Sequence, residues 1–398
     1  MSNNKKTALV PKLRFPEFKT NEAIICENGN LLFEPISNKN HNSDLPVLAI
    51  TQEYGAIPRD QIDYNVSVTD KSLESYKVVE VGDFIISLRS FQGGIEYSLF
   101  HGICSPAYII LRKKYDIVEQ YYRFYFKTNK FIQDLNKDLE GIRDGKMVSY
   151  SQFSDILLPK PDIKEQQKIA DCLFSLDDLI TAKDKKLSAL RLHKKGLMQK
   201  LFPAEGKTVP EWRFPEFVDC DEWEEMRLSQ LCDMQAGKFV QSSEIYKDIK
   251  SNMFPCYGGN GLRGYTCSFT HSGEYSLIGR QGALCGNVTY VVGDFHATEH
   301  AVVVTNRNVT IAKWLYYLLV KMDLNQYATG QAQPGLSVQA LEKLMVHAPK
   351  DPEEQQKIAD CLSALDGFIA AQIEEIEALK SHKKALMQGL FPIKAVEE

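Results

Sequence analysis

The sequence predicts an α+β protein: two mixed α/β, strand-rich bodies separated by two long antiparallel helices that form a coiled-coil rod, the whole built as a pseudo-two-fold internal repeat. Three observations carry this reading. The stretch EQQKIADCL occurs at residues 165–173 and again at 354–362, and extending it gives copies at 165–203 and 354–392 with 24 identities in 39 positions at a constant offset of 189. A shorter repeat precedes each body, VPKLRFPEF at 10–18 and VPEWRFPEF at 209–217. The bodies, roughly 20–158 and 218–347, differ far more than the repeats do. Repeats of this kind take precedence over local signals in deciding architecture. The predicted divisions are a first body over 1–160, a first helix over 161–203, a second body over 204–350, and a second helix with its tail over 351–398.

The long repeat is helical because its apolar residues recur every three or four positions. In the first copy these are Ile169, Leu173, Leu176, Ile180, Leu187, Leu190, Leu197 and Leu201; in the second they are Ile358, Leu362, Leu365, Ile369, Ile376, Leu379, Leu386 and Leu390. That period is the seam of a coiled coil. Polar residues break it at Lys183 and Lys194, and at the matching Gln372 and Lys383. Pro161 and Pro352 stand near the starts, where proline is tolerated, and Pro203 and Pro392 mark the ends. About 37 residues at 1.5 Å each give a rod of about 55 Å. Two equal helices with matching seams most simply pack on each other, antiparallel; the plainer alternative is that each packs on its own body. Glu165 and Glu354 are expected to complement the helix dipole, and Cys172 and Cys361 to be buried thiols.

The bodies read as divergent copies of one domain. VGDFIISLRSFQGG (81–94) and SPAYIILR (105–112) match SGEYSLIGRQGALCGNVTYVV (272–292) and EHAVVVT (299–305), with Arg89 and Arg280 each just past an apolar strand. An aromatic helical segment follows in each, VEQYYRFYFKTN (118–129) and TIAKWLYYLLVKM (310–322), and then a polar loop, GIRDGKMVS (141–149) and GQAQPGLS (330–337). The densest polar loop is PCYGGNGLRGYT (255–266). Its glycines let backbone approach a partner, Asn and Arg can contact base edges, and Tyr can stack.

Composition limits the function classes. The 398 residues exceed one ordinary core, and the balance of 44% hydrophobic and 25% charged residues is globular. The longest apolar run, WLYYLLV at 314–320, is too short to cross a bilayer, and MSNNKKTALVPK lacks a signal-peptide core, so a cytoplasmic location is expected. Nine cysteines without CxxC spacing point to reduced thiols and no zinc site. A net charge of −5 argues against DNA binding by bulk charge, so any positive surface is local or supplied by a partner.

Catalytic motifs fail on inspection. HATEH (296–300) matches a zinc-peptidase pattern, but its flanks are strand-like, and residues four apart on a strand lie about 13 Å apart, too far to share a metal. His296, Thr298 and His300 are expected at a strand edge or loop, facing DNA. EGKTV (205–209) has Leu201 where a P-loop needs glycine. There is no NPPY-like or DPPY-like adenine methyltransferase stretch and no convincing nuclease cluster; PDIKEQ (161–166) comes closest and reads as a helix start. HKK (193–195 and 382–384) reads as a solvated helix face.

Two variable bodies, each preceded by FPEF and followed by EQQKIADCL…LD…HKK…LMQ…LFP, resemble the specificity subunit of a type I restriction–modification system, and YGGNGLRGY and GRQG…CGN also resemble its target recognition domains. The resemblance covers essentially the whole chain. It implies that each body reads one half of a split DNA target, that the rod sets the distance between halves, and that rod and adjacent surfaces hold two modification subunits, with restriction subunits joining them. It also implies no catalysis and no cofactor in this chain: S-adenosylmethionine, ATP and Mg belong to the partner subunits. The family gives no fixed roster of base-reading residues. Chemistry and position nominate Gln52, Tyr54, Arg89, Ser90, Gln92, Arg143 and Lys146 in the first body, and Tyr257, Asn260, Arg263, Tyr265, Arg280, Gln281 and His300 in the second. A protein-only scaffold is the main alternative, and the paired Gly/Arg/Asn loops are what it would not need.

Overall fold

A computed structural model describes residues 8–41, 44–62, 73–137, 148–282, 284–307, 309–330 and 334–392. The chain divides into two compact units, Met1–Lys183 with Glu375–Glu398, and Asp184–Glu374. The division runs through the middle of both long helices, Ile163–Leu201 and Pro352–Leu390, each 39 residues and about 58 Å long. Each unit is one body plus the start of one helix and the end of the other.

In the first unit the central sheet has the order Phe33–Ile36, Ile109–Lys113, Phe84–Ile86, Glu96–Tyr97, all antiparallel. In the second the order Cys232–Ala236, Ala301–Asn306, His271–Gly279, Val288–Ala297 repeats it strand for strand, also antiparallel. Each unit adds a hairpin, Leu48–Thr51 with Gly55–Pro58, and Phe254–Gly258 with Gly261–Thr266. In the second unit this hairpin joins the sheet by a parallel pairing of Phe254–Gly258 with Val288–Ala297. The aromatic segments form helices, Glu119–Tyr125 and Ala312–Lys321. The divergent-copy reading of the bodies therefore holds at the level of topology.

The cores close around the helix ends. Tyr121, Tyr122, Phe126 and Phe153 of the first body pack with Ile169 and Leu173 from the start of the first long helix and with Leu390 and Phe391 from the end of the second. Trp223, Trp314 and Leu315 of the second body pack with Ile358 and Leu362, and with Met198, Leu201 and Phe202. The outer seam residues thus serve both pairings weighed above, helix on helix and helix on body. Nearer the middle, Leu187 and Ile376 are buried, and Leu176, Ile180, Leu190, Leu197, Leu365, Ile369, Leu379 and Leu386 are half-buried.

The seam breaks are satisfied rather than idle. Lys383 Nζ meets Asp177 and Lys183 Nζ meets Glu375 within the first unit, each at 2.5 Å; Lys194 Nζ meets Asp366 at 2.5 Å within the second. Later positions on one helix pair with earlier ones on the other, so the strands of the rod run antiparallel within each unit. Asp177 with Lys383 and Lys194 with Asp366 are repeat equivalents. HKK is therefore not wholly a solvated face: its middle lysine crosses to the other helix.

The repeated tags anchor the helix starts. Arg14 Nε and Nη donate to the two Glu165 carboxylate oxygens at 2.8 and 2.7 Å, and further donate to the carbonyls of Asn21 and Glu22. Arg213 repeats the clamp on Glu354 at 2.7 Å for both bonds, and Trp223 Nε1 adds a third. Both glutamates are 1% exposed, so their first role is a buried bidentate ion pair, beyond the dipole role expected. Gln166 accepts from Val118 N–H and donates to the Pro161 carbonyl; Gln355 does the same with Ile311 and Pro349. Asp162 and Asp351 cap the first turns through Lys164 N–H and Glu353 N–H. Cys172 and Cys361 are half-buried, not fully buried, because they flank the seam.

Removing one partner of such a pair leaves a charge without its counter-ion. Arg14→Ala is expected to destabilise the chain by about 3–5 kcal/mol, and Arg213→Ala similarly. Urea unfolding checks this; a loss below about 1 kcal/mol, the value of an exposed pair, contradicts the buried clamp.

Candidate nucleic-acid interface

In the second unit the hairpin turn at Gly259 and Asn260 lies against the end of the strand His271–Gly279. A Cβ on Gly279 would stand 1.8 Å from the Gly259 carbonyl oxygen, so glycine is required there for the two segments to meet. Gly261, at φ +91°, completes the turn. Arg280 N–H donates to the His300 carbonyl at 3.0 Å, Leu336 N–H to the Arg280 carbonyl at 2.9 Å, and Gly282 N–H to the Pro334 carbonyl at 3.0 Å. Three loops are thereby tied into one surface.

Asn260, Arg263, Gln281 and His300 line a single concavity of 430 Å³ there. Arg263 is steadied by a 3.2 Å bond to Ser242 Oγ, and His300 Nε2 lies 3.3 Å from the Glu299 carboxylate. Arg280 is half-buried, its Nε buried without a partner among the described residues. The set presents amide donors and acceptors beside a guanidinium fork, which is the chemistry that reads base edges. Tyr257 does not join it: its ring packs edge-on to Phe295 at 6.0 Å in the core, and burial pushes its phenol up. Tyr265 is half-buried, its backbone paired with Tyr246.

The first unit makes the same juxtaposition with other side chains. Gln52 and Tyr54 stand on the hairpin loop, Tyr54 60% exposed, and Gln52 Nε2 donates to the Arg89 carbonyl at 3.3 Å. Arg89 and Gln92 are exposed at the short helix Ser90–Gly93. Ser90 is corrected: it is 1% exposed, and its hydroxyl accepts from Ser87 N–H at 2.9 Å, so it builds the loop and cannot face a ligand. Arg143 and Lys146 lie outside the described residues.

A sequence model of the family described as the type I restriction modification DNA specificity domain matches residues 18–191 and 220–380. The chain belongs to this family. It is similar to the type I restriction enzyme EcoprrI specificity subunit of Escherichia coli, 43% identical over 155 residues, a match spanning 39% of this chain and 38% of that one. It is also similar to the MjaVIII specificity subunit of Methanocaldococcus jannaschii, 26% identical over 357 residues, covering 82% and 81% of the two chains. The S subunit structure from M. genitalium shares the fold with a TM-score of 0.62 at 17% identity, over 97% of this chain and all, 100%, of that one. The chain is a specificity subunit with two recognition domains, the non-catalytic component that reads DNA sequence.

In this specificity subunit HATEH runs from the strand Val288–Ala297 through a turn into Ala301–Asn306. His296 stands at the strand end and Thr298 in the turn, as the strand-edge reading expects, but both are buried, 6% and 0% exposed, and do not face outward; of the three, His300 lines the concavity. Among the described residues no group of three His, Cys, Asp or Glu is placed to hold a metal, and no helix is long and apolar enough to cross a membrane. Sequence reasoning missed Ser242, whose hydroxyl accepts from Arg263. The loop bearing Lys238 and Phe239, the latter 73% exposed, is tied to HATEH by bonds from Gly237 and Lys238 N–H to the Ala301 and Ala297 carbonyls. No local pattern marks that loop; only the tertiary bonds bring it beside the site.

Arg263→Ala is expected to weaken specific binding by about 1–3 kcal/mol and to relax preference at one base pair. Binding of the chain, assembled with its partner subunits, to target DNA and to single-base variants checks this; an equal loss on every sequence would make Arg263 a phosphate contact.

Proposed function

We propose that the first unit reads one half and the second unit the other half of a bipartite DNA target. The observation that carries this is the hairpin loop set against an arginine-bearing loop in both units, built on one strand order but furnished with unlike side chains: Gln52, Tyr54, Arg89 and Gln92 against Asn260, Arg263, Gln281 and His300. One frame with two contents suits two unlike half-sites. We further propose that the helices set the spacing between half-sites and, with adjacent surfaces, dock two modification subunits, with restriction subunits completing the complex. S-adenosylmethionine, ATP and Mg are the partners' cofactors in this reading, and the subunits work together in the cytoplasm. A chain with net charge −5 gains from partners that share the DNA clamp.

Sequencing methylated adenines in a host carrying this chain and its modification subunit is expected to return a split motif; an uninterrupted motif would refute the two-half reading. Inserting four residues after Ala182, with four at the facing position of the second helix, adds about 6 Å, or about two base pairs. The spacer is expected to lengthen while both half-sites stay the same; an unchanged spacer sinks the ruler.

A further inference from the structure

The first unit carries a second concavity, of 730 Å³, away from the recognition loops. Tyr125, Met387 and Phe391 form its floor, and Lys12, Lys380 and Lys384 stand at its rim. Lys12 and Lys384 are exposed and have no carboxylate partner among the described residues; Lys380 has only an exposed neighbour on its own helix, Glu377.

The internal repeat supplies a control within the same chain. In both units the tag donates a backbone bond to the end of a long helix: Leu13 N–H to the Gly389 carbonyl at 2.9 Å, and Trp212 N–H to the Lys200 carbonyl at 3.0 Å. In the second unit the side chains there make an ion pair, Lys200 with Glu211 at 3.2 Å, and the next residue, Trp212, sets its ring 4.9 Å from that of Phe214. Their equivalents in the first unit are Gly389, Lys12 and Leu13. The carboxylate has become a lysine, the lysine has become a glycine, and the aromatic ring is gone. At these positions the second unit carries an acid next to a large apolar residue, and the first unit carries neither acid nor ring.

We propose that this groove is a docking site for an acidic peptide segment of a partner protein, one that sets an aromatic or aliphatic anchor on the Tyr125, Met387 and Phe391 floor and carboxylates against Lys12 and Lys384. Rim cations around an apolar floor select charge and position the anchor. Lys12, Leu13 and Gly389 have unlike equivalents in the second unit, so the site is proposed for the first unit and takes one copy of the partner.

The probe is a fluorescein-labelled peptide of alternating glutamate and tryptophan or leucine, titrated against the full chain, with a lysine-for-glutamate peptide as the charge-reversed control. The test variant is K12E/L13W/G389K, which installs the second unit's own residues. Replacing Gly389 alone would crowd Leu13, whose Cδ1 lies 2.4 Å from the added Cβ, whereas the triple set already coexists at Glu211, Trp212 and Lys200. Saturable binding by the wild type, weakened about tenfold or more in a triple variant with unchanged melting, is the expected result. Equal affinity in the variant, equal binding of the reversed peptide, or no binding below about 1 mM overturns the proposal. A gain of about tenfold on removing residues 393–398 makes the chain's own tail the occupant, and self-association lost in the variant makes it a second copy; either outcome also overturns it.

Discussion

The fold depends on a buried guanidinium–carboxylate clamp made twice. A glutamate 1% exposed at the start of a helix is costly unless its charge is met, and Arg14 or Arg213 meets it with two parallel bonds. The same guanidinium binds carbonyls seven and eight residues further along its own tag, so one side chain fixes the helix start, the tag and the turn after it. The tag in turn bonds to the end of the other helix. Each unit is thereby closed by pieces of chain distant in sequence, Arg14 with Glu165, 151 residues apart, and Arg213 with Glu354, 141 apart.

That arrangement separates what must stay from what is free to differ. The clamp, the glutamine caps at Gln166 and Gln355, and the cross-helix pairs of Lys383 and Lys194 are the repeated residues, and all of them hold the frame. The recognition loops hang on strand ends whose order is common to both units, and their register is set by backbone bonds and by contacts such as Gly259 on Gly279. Side chains at Gln52, Arg89, Asn260, Arg263 and Gln281 carry little of the core, so their identity is available for recognition. A specificity subunit needs this division, because its target changes only if the loops change without cost to the frame.

Much of this was legible before the coordinates. The helices, their seams and the antiparallel pairing followed from a period near 3.5 residues, and the paired loops followed from aligned strands ending in arginine. Three polar residues on loops and strand edges, Ser90, His296 and Thr298, are buried instead of exposed. Which face a residue takes at a strand end or short turn is set by neighbouring segments, and a single sequence carries no signal for it.

By itself the sequence determined the duplication, the two long helices, the shared plan of the bodies and the lack of a metal-binding or nucleotide-binding motif, because these rest on periodicity and spacing along the chain. Only the tertiary structure decided that each unit takes the start of one helix and the end of the other, that Glu165 and Glu354 are clamped, and that Asn260, Arg263, Gln281 and His300 share one concavity. Those outcomes depend on burial and on contacts between distant segments: an ion pair forms where two charges are desolvated together, and a binding surface forms where loops from separate strands are held against each other.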